Sequence, residues 1–139
     1  MKDRTPKLCP NCGKDHIRRI ARAGRAYEYK GFSYEIPAAM ALKECPACHE
    51  MPMSVEEVEA VEAAVGAVHQ QKLTAAVEGY VKVLETKMPI GVIEKYLKVS
   101  QGYLARVRSK RSEPSFQLVA LLGLLAKSPD ELPKLESMV

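Results

Sequence analysis

Two Cys-Pro-x-Cys pairs constrain the fold of the first part of this chain more than any other feature. The pairs are Cys9 with Cys12 and Cys45 with Cys48, and 32 residues separate them. A Cys-x-x-Cys turn directs two thiolates toward one ion, and two such turns provide the four sulfur ligands of a tetrahedral site. The spacing therefore predicts that the two pairs meet at one metal ion.

The predicted ion is one structural Zn²⁺ per chain, because four cysteine ligands leave no coordination position open for a substrate. A small domain buries little apolar surface, so a metal that binds only the folded state adds stability. Two alternatives stay open at this point: a dithiol redox enzyme with one low-pKa thiol, and four unrelated buried thiols. His16 and His49 follow the pairs closely and are expected at the surface or beside the ligands.

The residues between the two pairs predict β-strands. Residues 16–22 alternate roughly between apolar and polar, and residues 26–37 are rich in Tyr and Phe. Both patterns are typical of strands, and Lys30-Gly31 is a turn signal between two of them. We therefore expect a small antiparallel sheet within a zinc-binding β domain over residues 1–53.

A connector helix is predicted over residues 54–72. Ser54 with Glu57 three positions later is a capping box, which begins a helix. One stripe at helical spacing is formed by Val58, Val61, Val65 and Val68. The stripe fades near Gly66, which predicts a joint over residues 66–72.

The remaining residues, 73–139, predict an all-helical domain. The helices are expected over residues 73–87, 89–98, 103–110 and 115–128, with a short last helix over 130–137. A helix, a second helix begun by a proline, a short break and a charged third helix follow each other in the order of a helix-turn-helix domain. The predicted class is thus α+β: a zinc-bound antiparallel β domain, a connector helix and a C-terminal helix-turn-helix domain.

Positive charge is concentrated late in the chain, where Lys95 to Arg111 includes six basic residues and no acidic one. Such a run is either a solvated helix face or a surface that binds a polyanion, and the helix order favours double-stranded DNA. Gln101 and Arg106 are expected to read bases, since Gln pairs with adenine and Arg with guanine. The residues predicted to contact DNA are Lys98, Gln101, Tyr103, Arg106, Arg108, Ser109, Lys110 and Arg111.

The fourth predicted helix of this domain is apolar around nearly its whole circumference. One face can enter the domain core, and the other then needs a partner. A homodimer through this helix would place two reading helices about one DNA turn apart. The predicted interface residues are Phe116, Val119, Leu122 and Leu125; the alternative is that the connector helix covers this surface within the chain.

Other sequence features exclude several classes of protein. No apolar run approaches the roughly 20 residues that span a bilayer, so no membrane partner is expected. The first ten residues lack the apolar region of a secretory signal, which predicts a cytoplasmic location. No Gly-rich phosphate loop or nucleophile motif is present, and aromatic residues are sparse, so we expect no enzymatic activity.

Nearly the whole chain resembles the MqsA antitoxin family, in which a YgiT-type zinc-binding domain precedes an Xre-like helix-turn-helix. The resemblance rests on the CPNC and CPAC pairs, the capped acidic helix and the stretch VSQGYLARVRSKRSEPSFQLVALLGLLAKSP over residues 99–129. It implies a dimeric regulator that represses its own operon and binds a protein toxin through its N-terminal domain. It also implies that the four cysteines hold zinc, that the C-terminal domain dimerises and binds operator DNA, and that Arg106 contacts a base.

The chain departs from the family pattern at three places, and the departures at Pro89-Ile90 and at Gly102 favour an alternative function. Pro89-Ile90 stand where the family commonly has Thr-Gln, Ile93 replaces a small residue, and Gly102 replaces an Asn. The alternative is a protein-interaction adaptor whose helix-turn-helix only dimerises and no longer reads DNA.

Overall fold

The computed structural model describes residues 8–139, so the predicted domain over residues 1–53 begins outside the described residues. The predicted α+β class is confirmed, with short antiparallel strands followed by helices. In chain order the elements are β1 Arg18–Ile20, β2 Ala26–Tyr29, β3 Phe32–Glu35, β4 Leu42–Glu44, α1 Val55–Glu85, α2 Ile90–Leu97, α3 Tyr103–Arg108, α4 Phe116–Lys127 and a 3₁₀ helix Pro129–Met138. Two compact units divide between Ala67 and Val68, and each has a core of its own.

Strands β2 and β3 form a hairpin in the N-terminal unit. Lys30 and Gly31 connect them with φ of 50° and 81°, and Ala26 pairs with Glu35 at the open end. Two consecutive residues with positive φ match the right-handed twist of antiparallel strands, and glycine adopts that conformation at low cost. The predicted turn is therefore confirmed at these two residues.

Strands β1 and β4 form a second, separate sheet rather than part of the single sheet that the sequence predicts. The side chain of Arg25, which lies between β1 and β2 in the sequence, is buried. Its guanidinium donates hydrogen bonds to the backbone carbonyls of Ile20, Arg22, Pro37 and Met40, at 2.6–3.1 Å. These bonds tie the end of β1 to the segment that connects β3 with β4.

The hairpin and the first part of α1 share a small core in the N-terminal unit. Its buried members are Tyr34, Ile36, Leu42, Val61 and Val65. Tyr29 lies against α1 at Gly66, where an added Cβ would stand 3.2 Å from the tyrosine Oη. Gly66 therefore makes room for an aromatic ring in this core.

Helix α1 begins with the predicted capping box and then continues through the predicted joint. The Ser54 backbone N–H donates to the Glu57 carboxylate at 2.9 Å, and the Glu57 N–H donates to the Ser54 hydroxyl at 3.2 Å. Residues 66–72 are helical, and α1 ends at Glu85. The stretch 67–72 contains Ala, Gln and Lys, which are good helix formers, and one glycine costs only about 1 kcal/mol.

The C-terminal unit packs the second part of α1 with α2, α3, α4 and the 3₁₀ helix. Its core consists of Leu73, Val77, Val81, Leu84, Ile93, Leu104, Val107, Val119, Leu122, Leu125 and Leu132. Ile93 of α2 and Leu104 and Val107 of α3 are fully buried in this core. Helix α4 begins after Ser115, whose hydroxyl accepts the Leu118 N–H at 3.2 Å. Among the described residues no helix is both long and apolar enough to cross a membrane.

Candidate functional site

The two Cys-x-x-Cys segments fold into equivalent turns. Gly13 donates its N–H to the carbonyl of Cys9, and His49 donates to the carbonyl of Cys45, both at 2.9 Å. Each donor directly follows the second cysteine of its pair, and both have left-handed backbones, with φ of 66° and 63°. The repeated sequence therefore produces a repeated local structure that directs both thiols of each pair to one side.

The two turns bring all four cysteine sulfurs together. The Sγ atoms of Cys9 and Cys48 are 3.6 Å apart, as are those of Cys12 and Cys45, and all four sulfurs lie within 4.8 Å of one another. A tetrahedron with metal–sulfur bonds of about 2.3 Å has sulfur–sulfur edges of about 3.8 Å. The four thiols can therefore hold one metal ion, and the alternative of unrelated buried thiols is wrong.

Hydrogen bonds to sulfur favour the thiolate form of Cys48 within this group. The Asn11 side-chain amide donates to Cys48 Sγ and the Lys14 backbone N–H to Cys12 Sγ, both at 3.5 Å. The Asn11 bond, together with backbone bonding, lowers the pKa of Cys48 to about 6. At Cys45 the Cys48 backbone N–H also favours the thiolate, but burial and the neighbouring thiols outweigh it and raise the pKa to about 11. A cation would remove this imbalance by stabilising all four thiolates.

A buried carboxylate adjoins the cysteine group in sequence. Glu44 precedes Cys45, and Arg22 donates from Nε to its two oxygens at 3.1 and 2.9 Å. This hydrogen-bonded pairing lowers the pKa of Glu44. The exposed His49 ring has its Nδ1 3.7 Å from the same carboxylate. His49 therefore stands beside the cysteine group, and His16 is exposed at the surface, in agreement with the expectation for both histidines.

Helices α2 and α3 are joined by a tight turn with two left-handed residues. Lys98 ends α2 with φ of 57°, and Gly102 precedes α3 with φ of 80°. The Tyr103 N–H donates to the Ser100 carbonyl at 3.0 Å within this turn. Because Leu104 and Val107 are buried, the opposite side of α3 is the side that faces solvent.

The turn before α3, the helix itself and the residues that follow it present six of the eight residues predicted to contact DNA. Gln101, Ser109, Lys110 and Arg111 are exposed, and Tyr103 and Arg106 are half-buried. Arg106 donates from Nη2 to the Ser100 hydroxyl at 2.7 Å, and its guanidinium lies 5.9 Å from the centre of the Tyr103 ring. The guanidinium is therefore held in one orientation at this surface. The contact of Ser100 with Arg106 is not predicted from the sequence. The position of Ser100 in the turn before α3 is the one feature that points to it.

Two of the predicted DNA contacts are instead ion-paired within the C-terminal unit. Both terminal nitrogens of Arg108 lie 3.3 Å from the carboxylate of Glu85 on α1. Lys98 donates to Glu136 at 2.7 Å, and this bond lowers the pKa of Glu136. Helix α3 ends at Arg108, so Lys110 lies beyond it rather than on it.

The predicted dimer interface needs a correction. Val119, Leu122 and Leu125 are buried in the core of their own unit, which also includes residues from the second part of α1. These positions recur at helical spacing on one face, so α4 uses that face for its own fold. Phe116 is 47% exposed and Leu124 is 67% exposed. Leu124 was missed by the sequence analysis, although its spacing of eight residues from Phe116 places both on the same side of the helix.

The cysteine group and the basic side of α3 are supported by the geometry of this chain alone. Comparison with models of known protein families finds none that matches the chain, and comparison with curated proteins finds no match either. The sulfur positions establish that a metal ion can be held, and the burial of Leu104 and Val107 establishes which side of α3 faces outward.

Proposed function

We propose that this protein is a zinc-stabilised, dimeric, DNA-binding transcriptional regulator, the antitoxin of a toxin–antitoxin pair that represses its own operon. The observation that carries the proposal is the solvent-facing side of α3 with the residues that flank the helix, which together hold basic and hydrogen-bonding side chains beside a tight turn from α2. A short helix exposed in this way fits the major groove of DNA.

Zinc is the metal proposed for the cysteine group. An all-thiolate, tetrahedral set of ligands suits Zn²⁺, and it leaves no position for a substrate. Cys9, Cys12, Cys45 and Cys48 would hold the ion, which supplies folding energy and no reaction chemistry. The adjacent Arg22–Glu44 pair orients the backbone that leads into Cys45.

DNA reading is assigned to residues before, on and directly after α3. Arg106 would pair with guanine and Gln101 with adenine, while Tyr103 and Ser109 hold phosphates. The exposed Lys110 and Arg111 would add charge contacts to the phosphate backbone. Lys98 and Arg108 contribute less, because each must first give up a carboxylate partner.

Dimerisation is assigned to the outer face of α4. Phe116, Ala120 and Leu124 lie at spacings of four residues and are all exposed. A symmetric contact through this face would give the dimer two reading helices, one for each half-site of the DNA.

The toxin partner is assigned to the N-terminal unit. Each of its two sheets has only two strands, so each strand has an edge that is not paired within its sheet. Such edges bind an extended segment of another protein by strand addition. The protein encoded beside this one is the toxin to test, by measuring its binding to the full chain; Arg106→Ala should leave that binding unchanged.

Base reading by Arg106 can be tested on DNA from the upstream region of the gene. Arg106→Ala should cost about 1–3 kcal/mol of binding free energy and relax base preference at one position. Lys110→Ala should weaken binding to all sequences alike and reduce the salt slope by about one. Lys82→Ala, which removes an exposed charge on α1, is the control. If neither variant binds more weakly than this control, the assignment of α3 is wrong.

The alternative function is a protein-interaction adaptor that dimerises without reading DNA. The ion pairs of Lys98 with Glu136 and of Arg108 with Glu85 favour it, because they withdraw two basic side chains from a DNA surface. Salt dependence separates the two functions. Sequence-specific binding that survives about 0.15 M salt supports the regulator, whereas only non-specific, salt-labile binding supports the adaptor.

A further inference from the structure

A buried carboxylate lies beneath the start of α3. Glu94 of α2 is only 4% exposed. Its Oε1 accepts the backbone N–H of Gly102 at 3.1 Å, and its Oε2 accepts the N–H of Leu104 at 3.0 Å. Both carboxylate oxygens are therefore used to bind the backbone at the beginning of the next helix.

These two bonds serve donors that a helix leaves without an internal partner. The first N–H groups of an α-helix have no carbonyl one turn earlier, so a side chain or water must accept them. A buried carboxylate without such donors would be strongly disfavoured. The Glu94 carboxylate and the backbone N–H groups at the start of α3 thus satisfy each other's hydrogen bonds.

Gly102 gives this arrangement its geometry. Its φ of 80° is left-handed, and a residue with a side chain would be strained there. The carbonyl of Gly102 accepts the N–H of Arg106 at 3.0 Å. The chain of contacts therefore runs from Glu94 through Gly102 to the backbone of Arg106.

We propose that Glu94, acting with Gly102, is a positioning residue that sets where Arg106 meets DNA. The inference rests on the DNA-reading function proposed above. It explains Gly102 as part of a distinct way of beginning the reading helix rather than as the loss of a base contact. Displacing α3 by even about 1 Å would misalign a bidentate contact and leave phosphate contacts largely intact.

Simple electrostatics predicts the opposite effect, which makes the test decisive. Glu94→Gln removes a negative charge near a DNA surface, and charge alone would strengthen binding to every duplex. Positioning predicts weaker specific binding, because a glutamine oxygen can replace only one of the two acceptors. Glu78→Gln removes the same charge from an exposed site on α1 and is the matched control.

Binding is measured by fluorescence anisotropy of the full, metal-loaded chain with its own upstream duplex and with a scrambled duplex of equal length. We expect Glu94→Gln to weaken binding to the upstream duplex about tenfold relative to Glu78→Gln, which is the loss of roughly one base contact. Binding to the scrambled duplex should match that of Glu78→Gln. Equal affinities of the two variants for the upstream duplex would overturn the proposal.

Amide hydrogen exchange of the unmodified protein tests the same bonds without a variant. The N–H of Leu104, second residue of α3, should exchange at least about tenfold more slowly than that of Gly91, second residue of α2, whose N-cap Pro89 makes no side-chain capping bond. Equal exchange rates would overturn the positioning role whether or not Glu94→Gln folds. If the unmodified protein does not discriminate between the duplexes while Leu104 is protected, the DNA-reading function fails and the role of Glu94 in holding α3 stands.

Discussion

Two glycines within α1 have opposite surroundings. An added Cβ at Gly66 would lie 3.2 Å from the Oη of Tyr29, whereas an added Cβ at Gly79 would meet no atom within 4 Å. Glycine in a helix interior is destabilising relative to alanine unless packing requires it. Gly66 is therefore a packing position, and Gly79 is a helix position that tolerates a methyl group.

Alanine substitution should change stability differently at the two glycines. Gly79→Ala should stabilise the protein by about 0.5–1 kcal/mol, because it removes only the backbone entropy cost. Gly66→Ala should gain less, since the Tyr29 ring must move to admit the methyl group. Thermal and urea unfolding of both variants measure the difference, and equal gains would contradict the packing role of Gly66.

The residue that follows each cysteine pair has a left-handed backbone, so a side chain there affects stability. Gly13 and His49 occupy equivalent left-handed positions in the two turns. Gly13→Ala should lower stability by about 1 kcal/mol and weaken metal binding, because a side chain is strained there. His49→Gly should bind the same amount of metal per chain, because its ring is not needed as a ligand.

Competition with a chromophoric chelator and metal analysis measure both effects. A loss of one equivalent of metal in His49→Gly would show that the ring is a ligand and that the four sulfurs are not sufficient.

At the scale of elements, α4 buries some of its apolar residues in the core and exposes others to solvent. Leu122 is fully buried in the core of the C-terminal unit, whereas Leu124, two residues later, is 67% exposed. The sequence cannot distinguish the two leucines, because apolar residues surround the helix. The burial of one face in the core of the C-terminal unit decides which of them remains available for a partner.

The two leucines give opposite expectations on substitution. Leu124→Glu should convert the proposed dimer into monomers with little loss of stability, because the residue is exposed within its own chain. Leu122→Ala should destabilise the protein by about 2–5 kcal/mol through loss of core packing. Light scattering after size exclusion reports the mass, and denaturant unfolding reports the stability. A dimer that persists in Leu124→Glu would place the interface elsewhere.

At the scale of the whole molecule, two units with separate cores differ in what stabilises them. The strands of the N-terminal unit have three or four residues each, which is short for independent stability. The C-terminal unit has a larger core of leucine, isoleucine and valine. We therefore expect a metal at the four cysteines to stabilise the first unit and to be unnecessary for folding of the second.

Removal of metal should accordingly unfold one unit and spare the other. A chelator should abolish the dispersed amide signals of β2 and β3, because folding of this unit is coupled to metal binding. The methyl signals of Leu122 and Leu132 should stay in place. Two-dimensional NMR before and after chelation makes the comparison, and strand signals that persist in the metal-free protein would contradict the structural role of the metal.

Much of the local structure could be predicted from the sequence. The capping box of Ser54 and Glu57, the turn at Lys30 and Gly31, and the break before α3 all involve contacts between residues close in the chain, so local patterns suffice. The cysteine group could also be predicted, because the spacing within each pair fixes the local turn. The sequence predicted a joint at Gly66. It could not reveal that the Tyr29 ring packs against the helix at this glycine.

By itself, the sequence determined the class of fold, the beginnings and ends of most elements and the four sulfur atoms that can hold a metal. Only the tertiary structure decided that α4 buries Val119, Leu122 and Leu125, that Arg108 faces Glu85, and that Glu94 binds the start of α3. The reason is physical: local signals depend on neighbours within about one helical turn, whereas burial and partner choice depend on residues that meet only when the chain packs.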